Sequence, residues 1–159
     1  MIGTKKGNDL AHKYVFVYGT LRVGLRNHHF ISGQELICKE ARLRGKYQLK
    51  TFFDRPFVVQ SLQENTIKGE LYQIDKDCLN TLDQLERHPH WYKRTELEIF
   101  SNQLASSFLA QVYLYFDGLE APHLKLIKNG CFVNYMRNYT GDLANNYQLL
   151  PNGKIKKLS

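Results

Sequence analysis

A short apolar strand that runs directly into a tight turn constrains the fold of this chain more than any other segment. Residues 14–22 read YVFVYGTLR, and the β-branched and aromatic side chains at 15–17 predict a buried strand. Gly19 ends the strand at a place where backbone can approach a ligand closely. Thr20 and Leu21 then present consecutive N–H groups in a turn, which is the geometry of a small anion-binding site. The segment therefore predicts a strand that leads into a donor-rich loop.

Alternation of apolar and polar residues predicts five further strands. They cover residues 35–50, 56–59, 66–74, 92–100 and 108–116. Gly45 is the expected bend of the first of these strands. Pro56 predicts an edge position for the second, because proline cannot donate to a central ladder. The last two strands are expected to pair antiparallel across a short turn.

One strong helical pattern lies between these strands. Residues 76–87 carry their apolar side chains on one stripe, Asp75 is a suitable N-cap, and Pro89 prevents continuation. A second, shorter helix is expected at 124–128. Because the helices are segregated from the strands, the sequence predicts an α+β fold. In that fold a strongly curved or closed sheet packs against the main helix.

The length of 159 residues, without internal repeats or low-complexity linkers, suits a single domain. Residues 1–12 are expected to form a frayed arm. Apolar periodicity is weak from Tyr139 onward, where residues 149–153 read either as a small hairpin or as tail.

The net charge of +7 raises the question of a nucleic-acid partner. The basic residues form no run of five or more, and the densest clusters lie near the two termini. Polyanion binding needs a concentrated basic stripe, so we expect no nucleic-acid partner. An RNA- or DNA-associated accessory protein stays open on charge alone. A mild excess of positive charge is better explained by a cavity that binds a small anionic substrate.

The cysteines and the apolar segments bear on the compartment. Cys38, Cys78 and Cys131 lie far apart, are odd in number and form no CxxC pair, which fits reduced thiols in a cytoplasmic protein. No stretch approaches the roughly 18 apolar residues of a membrane span, and residues 1–12 lack an apolar signal core. We expect a cytoplasmic protein without membrane contact.

Glu86 is the strongest catalytic candidate. A carboxylate in the last turn of a helix is disfavoured by the helix dipole. Pro89, Trp91 and Tyr92 follow it and would place it against apolar walls, which raise a carboxyl pKa toward the range of a general base. An idle, solvated carboxylate at a helix end is the open alternative.

Other chemical groups give weaker patterns. His28-His29 and His88-x-His90 lack a partnering Cys or carboxylate at ligand spacing, so we expect loop histidines and no metal. Cys78 falls on the apolar stripe of the helix and is expected in the core. No nucleophile-elbow motif and no phosphate-binding loop occurs.

Three tyrosines lie at the ends or in the interior of predicted strands, namely Tyr18, Tyr92 and Tyr115. Each is either a core aromatic or part of a polar pocket, because a buried hydroxyl needs a hydrogen-bond partner.

Two segments together resemble the gamma-glutamylcyclotransferase-like family. The first is the YGTLR of residues 18–22 after an apolar strand, and the second is the LDQLE of residues 82–86. Pro89 and the YKR of residues 92–94 follow the second segment, as they do in the family. Further agreement comes from Asn27, Pro56, Gly69-Glu70-Leu71-Tyr72 and Val112-Tyr113-Leu114-Tyr115. Chain length is similar to that of the small branch that resembles gamma-glutamylamine cyclotransferases.

The resemblance implies a fold and a division of the chain. The fold is a mixed β-barrel with flanking helices and a cavity at the YGTL loop. The division is a flexible N-terminal arm over residues 1–13, a domain over 14–138 and a C-terminal extension over 139–159.

The resemblance also implies an enzyme that cyclises a γ-glutamyl amine or γ-glutamyl amino acid to 5-oxoproline and releases the amine. Glu86 would be the general acid/base, and no cofactor or metal would be needed. The substrate would be held by the family's other site residues, here Tyr18, Gly19, Thr20, Leu21, Tyr92 and Tyr115. Arg87 replaces the glycine that follows the glutamate in the family. This departure leaves the leaving amine undetermined and keeps open a non-catalytic member of the fold that binds a small ligand or a protein. Oligomeric state is left open.

Overall fold

The computed structural model describes residues 3–6, 12–115, 121, 123–139, 147–150 and 155–158. The strands are β1 (Gly3–Lys6), β2 (His12–Val17), β3 (Glu35–Phe52), β4 (Arg55–Asp75), β5 (Tyr92–Ser101), β6 (Ser106–Tyr115), β7 (Lys125–Leu126), β8 (Tyr147–Leu149) and β9 (Ile155–Lys157). The helices are α1 (Lys76–Leu85), α2 (Phe132–Arg137) and a short 3₁₀ helix (His28–Phe30).

One mixed sheet of seven strands forms the body of the molecule, and β8 and β9 pair separately. The order along the sheet is β1-β6-β2-β4-β3-β5, and β7 pairs with β3. β6 runs parallel to β1 and β2, whereas β5 runs antiparallel to both β3 and β6. Because β5 returns to β6, the sheet is strongly curved. The prediction of an α+β fold with a mixed, strongly curved sheet is confirmed.

Two predicted strands are a single strand in the structure. The expected strands at 56–59 and 66–74 are both part of β4, which pairs with β3 along most of its length. Pro56 therefore does not mark an edge strand, because Val58 pairs with Leu49 on one side and with Leu114 on the other. The long strand at 35–50 is confirmed as β3, whose register shifts at the predicted bend, Gly45, where φ is +132°.

The second helix was predicted at the wrong place. Residues 125–126 form β7 against β3, and α2 begins only at Phe132. The expected arm contains β1, which pairs parallel with Ser106–Leu109 of β6. Its residues 1–2 and 7–11 lie outside the described residues, as do 140–146, 151–154 and 159 of the expected extension. The division at 14–138 stays a prediction.

Helix α1 forms where its sequence predicts, although it ends at Leu85, two residues before the predicted end at 87. The Asp75 side chain accepts a hydrogen bond from the Cys78 N–H at 2.8 Å, which caps the first turn. Its buried face, with Cys78, Leu79 and Leu82, packs on Val15, Val17 and other apolar residues of the sheet. The helix therefore lies over the strand that leads into the YGTL loop.

All three cysteines are buried and unbridged. Across the described residues, no helix combines the length and the apolar composition needed to cross a membrane.

Candidate functional site

A small cavity of about 40 Å³ lies where β2 ends, beneath the end of α1. Its lining residues are Phe16, Val17, Tyr18, Gly19, Thr20, Leu21, Pro56, Glu86, Tyr92 and Tyr113. The structure thus brings the YGTL loop, Glu86 and Tyr92 together, although about 65 residues of chain separate the loop from Glu86. Tyr115 is not among these residues.

The YGTL loop is a hydrogen-bonded turn. The Arg22 N–H donates to the Gly19 carbonyl at 3.0 Å, and the Asn27 amide donates to the Thr20 hydroxyl at 2.9 Å. The N–H groups of Thr20 and Leu21 find no acceptor among the residues that the structure describes. Two adjacent donors beside a cavity form a site for a carboxylate or an oxyanion.

Close packing holds this turn in place. A Cβ added at Gly19 would overlap the Pro56 ring, so only glycine lets β4 approach this closely. On the other side, the buried carboxylate of Glu70 accepts from the Arg22 guanidinium at 3.0 Å and from the Val23 N–H at 3.1 Å. The agreement of residues 69–72 with the family therefore has a structural reason, since Glu70 fixes the loop.

Glu86 caps the C-terminal end of α1. Its N–H donates to the Leu82 carbonyl at 2.9 Å, and Arg87 after it takes the left-handed conformation with φ +52°. Glycine adopts that conformation most readily at a helix end, so the backbone at this position favours glycine. Arg87 keeps the turn but adds a guanidinium.

The Glu86 carboxylate is partly buried and makes no hydrogen bond or ion pair within the described part of the chain. Burial raises its pKa to about 7, and the positive charge of Arg26 opposes that rise. A carboxyl with this pKa exchanges protons near neutral pH, so it can serve first as a base and then as an acid.

Asp83 fixes the helix end that presents Glu86. It accepts a bidentate pair from Arg94 at 2.8 and 3.2 Å and a third hydrogen bond from the Tyr113 hydroxyl at 2.7 Å. Arg94 also donates to Gln111 on β6 at 2.9 Å. The Asp of LDQLE and the Arg of YKR therefore form one ion pair that ties α1 to β5 and β6.

Three tyrosines line the cavity. The Tyr18 hydroxyl donates to the Tyr113 carbonyl, and the Tyr92 hydroxyl donates to the Pro56 carbonyl at 2.7 Å. Burial, and secondarily the charge of Glu86, raises the pKa of Tyr18, so its hydroxyl stays protonated. Tyr115 is buried behind this wall, with its ring 4.8 Å from that of Phe57. The sequence pattern did not single out Tyr113, which shares the strand and the face of Tyr115.

A second cavity of about 230 Å³ adjoins the first across Glu86 and Tyr92. Its other lining residues are Arg55, Phe57, Leu85, Arg87 and Trp91. The Phe57 and Tyr92 rings stack with 5.3 Å between centroids, which makes one wall flat and aromatic. Glu86 therefore faces two compartments with different linings.

His28 and His88 form hydrogen bonds with backbone groups near the site. His28 Nδ1 lies 2.9 Å from the Leu21 carbonyl, and His88 Nδ1 accepts from the Arg94 N–H at 3.0 Å. Within the described ranges, no group of three or more His, Cys, Asp or Glu side chains is arranged to hold a metal ion.

Comparison with known proteins gives a consistent result. The family profile described as "Gamma-glutamyl cyclotransferase, AIG2-like" matches residues 15–134. Gamma-glutamylaminecyclotransferase C of Danio rerio is 32% identical over 115 residues, which cover 67% of this chain and 76% of that protein. Gamma-glutamylaminecyclotransferase of Rattus norvegicus is 26% identical over 148 residues, or 84% of this chain and 91% of that protein. The crystal structure of a mouse AIG2-like protein superimposes with a TM-score of 0.55 at 25% identity, covering 64% of this chain and 75% of that one.

Proposed function

Because this chain belongs to the gamma-glutamyl cyclotransferase, AIG2-like family, we propose that it cyclises a γ-glutamyl amine or γ-glutamyl amino acid to 5-oxoproline. The observation that carries the proposal is the placement of Glu86 and the YGTL loop on one cavity. A base with a pKa of about 7 there faces backbone donors that have no partner among the described residues.

The reaction is an intramolecular aminolysis. The α-amine nitrogen of the substrate attacks its own γ-carbonyl carbon, a five-membered lactam forms, and the bond to the leaving nitrogen breaks. The α-ammonium loses two protons as it becomes the lactam N–H, and the leaving nitrogen gains two and departs as an ammonium, so no water and no further reactant enters. Since both reacting groups belong to one molecule, holding them in contact supplies effective molarities of about 10⁵ M or more.

Glu86 carries these protons in turn. In its ionised form it accepts a proton from the α-nitrogen, in its neutral form it passes that proton to the departing nitrogen, and the cycle repeats for the second proton. The backbone N–H groups of Thr20 and Leu21 bind either the substrate α-carboxylate or the developing oxyanion. Tyr18 and Tyr92 form the walls that keep the γ-glutamyl group folded.

The reaction is assigned to residues 14–138, and we place the protein in the cytoplasm. Three buried, unbridged thiols support that location, since such cysteines are typical of reducing compartments.

The test is mass-spectrometric detection of 5-oxoproline after incubation with a panel of γ-glutamyl amino acids, γ-glutamyl-ε-lysine and other γ-glutamylamines. We expect release from at least one member of the panel, and a loss of about 10²-fold or more in Glu86→Gln because a positioned acid/base is removed. Glu64→Gln is the matched control, since Glu64 is exposed on β4 and its substitution removes the same charge. Near-normal release by Glu86→Gln would refute the role of Glu86.

A non-catalytic member of the fold is the alternative that Arg87 supports, because the family has glycine there. Binding of γ-glutamyl compounds without any 5-oxoproline from the whole panel would establish it.

A further inference from the structure

The lining of the second cavity indicates which leaving amine the site can accept. It touches the first cavity only through Glu86 and Tyr92, so it lies on the far side of the proposed acid/base from the YGTL loop. If the loop holds the γ-glutamyl group, then a leaving nitrogen protonated by Glu86 extends toward the second cavity. The lining of that cavity is therefore the lining met by the leaving group.

Positive charge dominates this lining. Arg55 and Arg87 both border the cavity, and neither forms an ion pair with a residue that the structure describes. Arg26 also acts on Glu86, but it is paired with Asp54 at 3.0 Å. The guanidinium groups of Arg55 and Arg87 provide forked donors that match the geometry of a carboxylate.

The remaining walls are apolar and well fixed. Phe57 is buried, and Trp91 follows a turn in which the Arg87 carbonyl accepts from the N–H groups of His90 at 2.7 Å and Trp91 at 3.1 Å. This turn links the Arg87 guanidinium and the Trp91 indole at one side of the cavity. A volume of about 230 Å³ has room for a side chain beside a carboxylate.

We propose that this cavity is a leaving-group subsite for an α-amino acid with an apolar or aromatic side chain, whose carboxylate is bound by Arg55 and Arg87. The subsite rests on the proposed function and narrows its substrate class to γ-glutamyl amino acids. A cationic amine is disfavoured there, because Arg55 and Arg87, which have no ion-pair partner among the described residues, repel it.

The activity test compares γ-glutamyl-phenylalanine with γ-glutamyl-phenethylamine, which differ only in the carboxylate. Because a charge-assisted hydrogen bond contributes about 10-fold or more to discrimination, we expect kcat/KM to favour the phenylalanine compound by at least about that factor. The ratio should fall toward one in Arg55→Gln/Arg87→Asn, where asparagine is chosen because it tolerates the left-handed conformation. Lys156→Gln/Lys157→Gln is the control, since it removes two positive charges from exposed positions on β9 and should keep the ratio.

A binding test judges the subsite separately from catalysis. Trp91 is the only tryptophan of the chain, so its fluorescence reports directly on this cavity. Glu86→Gln is titrated with both compounds, alone and combined with Arg55→Gln/Arg87→Asn. We expect tighter binding of the phenylalanine compound, weakened about 10-fold or more by loss of the two arginines.

The outcomes separate the two proposals. Absence of 5-oxoproline from every member of the panel, including these two compounds, would overturn the proposed function, while the Trp91 titration would still decide on the subsite. Equal turnover and equal binding of the two compounds, a preference for the phenethylamine compound, or a preference that survives loss of both arginines would overturn the subsite.

Discussion

Asp83 and Glu86 lie on the same helix end, yet their carboxylates have opposite surroundings. Asp83 accepts from Arg94 and from Tyr113, whereas the Glu86 carboxylate accepts from no residue that the structure describes. A carboxylate that accepts from several charged or hydroxyl donors stabilises the fold. Removing it leaves those donors without an acceptor, which lowers the free energy of unfolding. A carboxylate left against apolar walls has a raised pKa and is available for proton transfer. One turn of helix therefore supplies both the support and the reactive group.

The position of the reactive carboxylate is tested by Glu86→Asp. This change keeps the charge and withdraws the carboxylate by about one C–C bond, and a misplacement of about 1 Å can cost about 10²-fold in rate. We expect kcat for 5-oxoproline release to fall by about that factor with unchanged far-UV circular dichroism. Activity close to that of the native protein would show that the carboxylate does not act from a fixed position.

The supporting role of Asp83 is tested by Asp83→Ala. This change leaves the Arg94 guanidinium and the Tyr113 hydroxyl without their shared acceptor. The ion pair is only partly buried, with side-chain exposures of 24% and 21%, so we expect a loss of about 2 kcal/mol rather than the full cost of a buried pair. Urea unfolding measures the loss, and Glu64→Gln should show almost none. An unchanged midpoint would mean that the Asp83 cluster does not support the fold.

Unlike Asp83→Ala, Glu86→Gln is expected to stabilise the folded protein. The pKa of Glu86 is about 7 in the folded protein and about 4.5 in the unfolded chain, so the folded state holds the proton more tightly. The native protein therefore loses stability as pH rises from about 4.5 to above 7. Glutamine does not ionise, and we expect it to raise the free energy of unfolding at pH 8 by on the order of 1 to 2 kcal/mol, with a smaller gain at pH 5. A gain that is equal at both pH values would contradict the raised pKa.

The smallest expected effect is that of Arg26→Gln. The charge of Arg26 lowers the pKa of Glu86 against the effect of burial, so its removal should raise that pKa further. Because the ionised carboxylate starts the reaction, the acidic limb of the kcat/KM profile should move to higher pH. We expect a shift below about one unit, since Arg26 is exposed and screened by salt. A shift to lower pH would mean that another group controls this limb.

Much of the framework follows from local sequence. The apolar run before Gly19, the Asp75 cap and the stop at Pro89 each depend on neighbouring residues, and each is found as expected. The bend at Gly45 follows from the conformational freedom of glycine.

The failures concern features that depend on distant partners. Residues 60–65 are mostly polar and lie between two predicted strands, but β4 runs through them, with Gln60 paired to Tyr47 and Asn65 to Gly45 of β3. The pattern cannot choose between Tyr113 and Tyr115, which lie on the same face of β6, because the end of the strand that meets the cavity is set by the whole sheet. The sequence showed Asp83 and Arg94 only as two motif residues. Their ion pair could not be predicted, because no local pattern shows that β5 returns to α1.

Glu86 and Tyr92 belong to both cavities, whereas all other lining residues belong to one or the other. On the proposed assignment, the group that moves the proton is shared, while the two recognition walls use different side chains, even where these are chain neighbours such as Arg55 and Pro56. Evolution, or a protein engineer, can therefore exchange Arg55, Arg87 and Trp91 for other side chains and obtain a new amine preference without rebuilding the part that recognises glutamate. In enzymes of this kind with different amine preferences, the sequence differences would then be concentrated in the residues that line the second cavity.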